Sequence, residues 1–276
     1  MVTVRAPATS ANLGSGFDVF GVALSKPADV VTVEKAPETS IEVLGAGHQY
    51  IPEDPDKNTV GAVAESLDAP AHIRINKGVR PASGLGSSAA SAAAAAVVPI
   101  AAEGEAIVSG DAHEDNVAPA LLGGFTIARN GGVTCVDAAI PLVVCLPDIV
   151  VSTRDARAVV PDGARMNEVV ETVGNAATLT AGMHRDDPEL VGDGLYDSIV
   201  TPARAELIDG YEGVRQAAFD AGATGVTISG AGPGVLATCK PGARQNVGVA
   251  MLDAFEAAGV EARAYQTEIG DGARVL

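Results

Sequence analysis

The sequence predicts an α+β protein of two domains, and three observations carry that reading. Short β-type runs broken by turns fill the first third of the chain. The closing stretch reads helix, strand, strand, helix, strand, which is the order of a ferredoxin-like unit. The character of the sequence changes near Pro141, which places one domain over residues 1–141 and a second over 142–276. A chain of 276 residues suffices for one large or two small domains and needs no disulfide or metal staple.

Taken in order, Val2–Arg5, Val30–Glu34, Ile41–Leu44 and His72–Asn76 are β-branched or apolar runs bounded by turn residues, and they predict strands. Ser87–Val98 is almost all Ala and Ser, which predicts a helix on propensity, with Pro99 as its stop. Asn116–Leu122 predicts another helix, closed by Gly123 and Gly124. Phe125–Ala128 and Val133–Val136 form an expected hairpin around Asn130, Gly131 and Gly132. Leu142–Leu146 and Ile149–Ser152 follow as strands. A long helix is expected over Ala164–His184, with shorter ones over Thr201–Ile208 and Gly213–Ala221. The chain then closes with strands Gly225–Ser229 and Val235–Cys239, a helix over Arg244–Ala258 and a strand over Ala262–Glu268.

Composition narrows the function. A hydrophobic content of 47% excludes a disordered chain and a coiled coil. No apolar run approaches the length of a transmembrane helix, and the first residues contain no apolar signal-peptide core. A cytoplasmic protein is therefore expected. The three cysteines, odd in number and set in apolar strand-like runs, are read as reduced core thiols. The net charge of −17 gives a field that repels nucleic acid and anionic membrane. The acids are dispersed in pairs such as Glu53/Asp54, Glu114/Asp115 and Asp186/Asp187, and five lysines stand against thirteen arginines. Such a surface suits a salt-filled cytoplasm, where charges are screened within about 3 Å at 1 M ionic strength.

Three glycine-rich segments point to chemistry. In the first, residues 77–90, Gly84 and Gly86 let the backbone curl, and Ser87 and Ser88 stand where a helix begins. The first amides of a helix and its dipole make an anion cradle, and a serine hydroxyl there can ligate a nucleotide's Mg²⁺. The Lys that ends a Walker A loop is missing, so this is another kind of phosphate loop, or a plain cap on an Ala helix. The second segment, Ala8 to Gly21, sets Asn12 and Asp18 on a glycine-broken turn that suits a small ligand or a local Asx turn. The third, Gly225 to Gly234, leads a strand into a glycine loop and then into another strand. That order argues against dinucleotide binding and for a phosphate-facing loop or a tight hairpin.

In this order and at these distances, the three segments resemble the GHMP kinases. The family's phosphate-loop pattern is present in full from Pro81 to Ala89. The strings from Ser10 to Gly21 and from His113 to Gly124 look most like those of the homoserine kinases within that family. The resemblance implies an N-terminal domain like domain 2 of ribosomal protein S5, a C-terminal ferredoxin-like domain, and a site between them. It implies ATP and Mg²⁺ as cofactors and L-homoserine as the small-molecule substrate, and it is compatible with a homodimer. By family pattern, the nucleotide lies over Pro81, Ala82, Ser83, Gly84, Leu85, Gly86, Ser87, Ser88 and Ala89, with Gly230 and Gly232 close by. Asn58, Val60 and Lys77 fall near the adenine, and Ser88 and Glu105 hold the metal. Asn12, Asp18, Asn116, Arg157 and Arg204 match the substrate-binding positions, and Thr153 falls beside the reacting centre.

The residues fit these roles on their own chemistry. A carboxylate calls for a planar guanidinium, as on Arg157 and Arg204, and an ammonium for a carboxylate, as on Asp18. Asn116 stands where some family members carry an Asp base, and an amide takes no proton. Glu103 and Glu105 are equivalent metal candidates on the letters alone, the family pattern preferring Glu105. His113, beside acids, is expected to be solvated. Other readings are a GHMP kinase acting on mevalonate or shikimate and a non-catalytic nucleotide sensor of the same fold. The segment from Ser88 to Glu105 is shorter than the family leads one to expect, which bears on whether Glu105 stands opposite Ser88.

Overall fold

The computed structural model describes residues 1–95, 114–129 and 132–276. Two sheets organise them. The larger begins with β1 (Val2–Ala11) and β2 (Phe20–Lys35), a long antiparallel pair whose register shifts between Pro7 and Thr9. Both strands reach further into the second glycine-rich segment than expected, and the turn shrinks to residues 12–19. Ala8, Ala11, Gly21 and Ala23 carry too little side chain to show a strand pattern, yet the strand passes tightly beneath helices there. A Cβ on Gly21 would stand 1.8 Å from the Asp115 carbonyl oxygen.

β3 (Ser40–Gly45) runs parallel to β4 (Ala71–Lys77), which pairs with the far half of β2. Between them lies α1 (Thr59–Ser66), an unforeseen helix capped by Asn58, whose Oδ1 accepts the Val60 N–H at 3.1 Å. α2 (Ser87–Ala95) and α3 (Glu114–Leu122) pack beneath β1 and β2. β5 (Phe125–Arg129) pairs with the near half of β2 and with β6 (Gly132–Val136). The expected turn residues Asn130 and Gly131 lie outside the described residues. Cys135 on β6 is exposed, which corrects its reading as a core thiol: β6 is an edge strand pairing with β5, and none of its residues is buried.

The second sheet comprises β7 (Pro141–Pro147), β8 (Ala223–Ile228), β9 (Val235–Cys239) and β10 (Ala262–Glu268). Its order is β10-β7-β9-β8, antiparallel throughout. Both faces are covered. Leu142 and Val144 of β7 and Leu236 of β9 face a core shared with Leu13, Phe20, Phe125, Leu179 and Met183. Val143, Cys145, Ala237 and Cys239 face the opposite core, with Val214, Met251 and Phe255. Burial on two sides explains why these strands read as unbroken apolar runs. α4 (Thr153–Ala158), α5 (Met166–His184), α6 (Pro188–Gly194), α7 (Val200–Ala205), α8 (Tyr211–Asp220) and α9 (Arg244–Ala257) complete this part.

The expected strand Ile149–Ser152 is absent. Val150 is exposed, and Ser152 caps α4, its Oγ accepting the Asp155 N–H at 3.0 Å. Finally β11 (Arg274–Val275) returns to the first sheet against β1. No described helix is long and apolar enough to cross a membrane.

Candidate active site

A cleft of about 320 Å³ opens between the two sheets, and the three glycine-rich segments meet on it. The first glycine-rich segment joins β4 to α2. Ala82, Gly84 and Gly86 all have left-handed backbones, with φ of 53°, 75° and 59°, which winds the loop tightly. Pro81, Ala82, Ser83, Gly84, Gly86, Ser87 and Ser88 line the cleft, whereas Leu85 and Ala89 are fully buried in the core beneath it. The Ala90 N–H bonds back to the Gly86 carbonyl at 2.9 Å, so the amides of residues 87–89 stand at the positive end of α2.

A buried ion pair underpins this loop. Lys77 pairs with Asp29, and both side chains are almost wholly buried. Lys77 Nζ also donates to the Ser87 carbonyl at 2.6 Å and to Ser91 Oγ at 3.0 Å. The other Asp29 oxygen accepts the N–H groups of Gly78 and Val79 at 2.9 and 3.0 Å. Lys77 lines the cleft, but its ammonium is turned to this network beneath α2. Asn58 reaches the cleft while capping α1, and Val60 is buried away from it. Ser87 spends its hydroxyl on the Val79 carbonyl at 2.8 Å.

The third glycine loop lies directly on the first. The Ser229 hydroxyl sits 2.8 Å from Ser10 Oγ and 2.7 Å from the Gly84 carbonyl, and Gly230 N–H donates to the Ala11 carbonyl at 3.1 Å. A Cβ on Gly84 would stand 2.3 Å from the Ser229 carbonyl oxygen, so this contact requires glycine. Gly230 and Gly232 line the cleft.

Asn12, Asp18, Asn116, Thr153, Arg157 and Arg204 also line it. Asn12 and Asp18 both have positive φ, and Asn12 Oδ1 accepts the Asp18 N–H at 3.0 Å, closing the turn that presents the carboxylate. Asp18 is gripped by Arg157 through two bonds, of 2.6 and 3.3 Å. Arg204 is buried, its Nε and Nη1 donating to the carbonyls of Ala156 at 3.2 Å and Gly230 at 2.9 Å. Burial pushes its pKa down, Asp18 pulls it up and Arg157 pushes it down again. Asn116, on the first turn of α3, has its Oδ1 held by the Thr9 hydroxyl at 2.9 Å, which leaves the amide NH₂ as the group to offer a ligand.

The sequence reading missed several participants. Thr9, Asp29 and Ser91 act only through partners far along the chain, and no local spacing reveals them. Asp115 is a buried carboxylate beside Asn116 that lines the cleft. Phe17 lies against both arginines, its ring centroid 5.3 Å from the Arg157 guanidinium carbon and 5.0 Å from that of Arg204. Glu103, Glu105 and His113 lie outside the described residues. Among the described residues no cluster of three His, Cys, Asp or Glu groups could hold a metal.

The chain matches the GHMP kinase N-terminal domain over residues 57–98 and the GHMP kinase C-terminal domain over residues 179–257. A homoserine kinase of Haloarcula marismortui is 71% identical over 291 aligned positions, covering all of both chains. That of Natronomonas pharaonis is 70% identical, again covering all of both. The 291 aligned positions exceed the 276 residues of this chain. Among solved structures, a homoserine kinase from Cytophaga hutchinsonii superposes with a TM-score of 0.92 at 35% identity, covering all of this chain and 97% of the other. A Leishmania major mevalonate kinase, at 14% identity and a TM-score of 0.71, shares the fold. With a phosphate loop, a zwitterion-sized set of charges and full-length likeness on both sides of the cleft, the chain belongs to the homoserine kinases of the GHMP kinase family.

Proposed function

We propose that this chain transfers the γ-phosphoryl group of ATP to the side-chain hydroxyl of L-homoserine, giving O-phospho-L-homoserine and ADP on the way to threonine. The observation that carries this is the charge arrangement beside the phosphate loop: two guanidiniums and one carboxylate on a single cleft. A zwitterion fits it. The substrate carboxylate goes to Arg157 and Arg204, and its ammonium to Asp18, exchanging the Asp18–Arg157 pair for two contacts with the ligand. Asn116, its carbonyl occupied by Thr9, donates its amide N–H to the acceptor hydroxyl or the phosphoryl oxygens. Thr153 stands beside them.

The homoserine oxygen bonds to the γ-phosphorus as the bond to the ADP oxygen breaks. The hydroxyl proton leaves to phosphate oxygen or solvent, since Asn116 accepts none. Positioning and charge neutralisation then carry the step. The Ser88 hydroxyl is a hard oxygen donor at the phosphate loop and fits Mg²⁺, which takes few protein ligands and keeps water and phosphate oxygens. Ser88 and Glu105 would hold that ion, and it would neutralise phosphate charge. A cytoplasmic location, a homodimer and a division into domains near residue 141 belong to the same proposal, the dimer being open to light scattering.

An ADP-release assay with homoserine, mevalonate and shikimate side by side tests the reading. Homoserine alone should give efficient turnover. Mevalonate and shikimate have no ammonium to exchange for Arg157 on Asp18. Preferred turnover of either one, or none with homoserine, would overturn the assignment.

A further inference from the structure

Phe17 is the aromatic side chain on the turn that carries Asn12 and Asp18. It follows the 3-10 turn Gly14–Gly16, and its ring lies against two guanidiniums that arrive from different helices, Arg157 from α4 and Arg204 from α7. Two like charges on one site repel, and the buried Arg204 has to hold its charge with little water. Its hydrogen bonds go to neutral carbonyls, and among the described residues it makes no ion pair. Of the acids around it, Asp18 is engaged with Arg157, and Asp115 and Asp197 act on it without a direct pair.

The negative face of a phenyl ring attracts a guanidinium without competing for its N–H donors. A carboxylate in the same place would neutralise both arginines and take the seat meant for a ligand's carboxylate. A plain aliphatic chain would bury the charges against nothing. The ring therefore does what neither can, steadying two cations without taking up their N–H donors.

We propose that Phe17 is a positioning and specificity residue, its ring holding Arg157 and Arg204 as a two-guanidinium clamp for the carboxylate of the acceptor substrate. The inference rests on the homoserine reading above and adds to it a residue that sets preference for carboxylate-bearing acceptors.

The test compares Phe17→Leu and Phe17→Tyr with wild type, using homoserine and 3-amino-1-propanol, which is homoserine without its carboxylate. Phe17→Leu keeps apolar bulk and removes the ring. It should lower kcat/KM for homoserine about tenfold. KM for ATP and kcat/KM for 3-amino-1-propanol should stay at wild-type values. Phe17→Tyr keeps the ring and should remain within about twofold of wild type on both acceptors. The ratio of the two acceptors is read within each variant, so a changed folded fraction cancels. The proposal fails if Phe17→Leu matches wild type, if both acceptors lose equally, or if Phe17→Tyr is as impaired as Phe17→Leu. A wild-type enzyme inactive on homoserine would instead sink the substrate reading itself.

Discussion

Thr9→Val isolates one hydrogen bond on which the orientation of Asn116 depends. Thr9 is fully buried on β1, and its hydroxyl donates to Asn116 Oδ1 at 2.9 Å. Valine keeps the shape, the β-branching and the backbone bond from residue 9 to the Leu85 carbonyl at 3.1 Å, and removes only the donor. The space is tight, because a Cβ on Gly86 would stand 2.1 Å from Thr9 Oγ1 and 2.7 Å from Asn116 Oδ1. The substituted methyl thus stays where the hydroxyl was, and the carboxamide loses the contact that tells its oxygen from its nitrogen. A neutral bond of this kind is worth about 0.5–1.5 kcal/mol, which corresponds to a loss in kcat of about two- to twelvefold. The assay is ADP release at saturating ATP and homoserine, with a melting curve alongside. KM for ATP should be unchanged, and Thr9→Ser, which restores the donor, should recover most of the loss. Wild-type turnover in Thr9→Val, with Asn116→Ala inactive, would refute the argument: Asn116 would then matter without being held by Thr9.

Arg157→Ala should raise KM for homoserine by about one to two orders of magnitude, since charge-assisted bonds are worth about 1.5–3 kcal/mol, and leave KM for ATP in place. Arg204→Ala should do the same and also lower the melting temperature, because it strands the Ala156 and Gly230 carbonyls; equal melting of the two variants would contradict its buried role. Thiol titration of the native protein at pH 8 should count Cys135 alone, and slowly, since desolvation by neighbouring atoms and the charge of Asp137 raise its pKa. Cys145 and Cys239, pushed up to about 12 by burial, should react only after unfolding, and three fast native thiols would be a clear miss. The melting temperature should climb between about 0.2 M and 2 M KCl as self-repulsion among the acids is screened, and a flat or falling curve would argue against a salt-adapted surface. Glu105→Gln should abolish most turnover and Glu103→Gln little of it; the reverse order would re-register the metal ligand.

Much of the site could be read in the letters because its backbone is written in glycine. Gly84, Gly86 and Gly230 occupy left-handed positions that few other residues tolerate, and the letters around them are sparse enough to stand out. Side chains that act over distance were hidden. Asp29 and Lys77 form a pair buried under the loop from separate strands, and neither letter differs from a surface acid or base. Capping explains two errors of secondary structure: Asn58 starts an unforeseen helix, and Ser152 converts an expected strand end into the start of α4. The strands around the first turn came out short because alanine and glycine, chosen for close helix contact, carry no period. β9, α9 and β10, by contrast, were legible nearly to the residue, since the two strands alternate or run apolar over their whole length, whereas the short helices α4 and α6 went unforeseen.

The core in which Leu142, Val144 and Leu236 of one sheet meet Leu13, Phe20 and Phe125 of the other has a consequence for folding. Neither half of the chain owns that core. A fragment ending near residue 141 would expose Leu13, Phe20 and Phe125 to water, and the complementary fragment would expose its own half together with Leu179 and Met183. Each would be sticky rather than autonomous. Denaturant should therefore melt the two sheets together, in one sigmoidal step reported alike by circular dichroism and by tyrosine emission. The cleft inherits that cooperativity: its two walls stand on a common floor, so an injury to the packing beneath either one loosens the grip on both substrates at once.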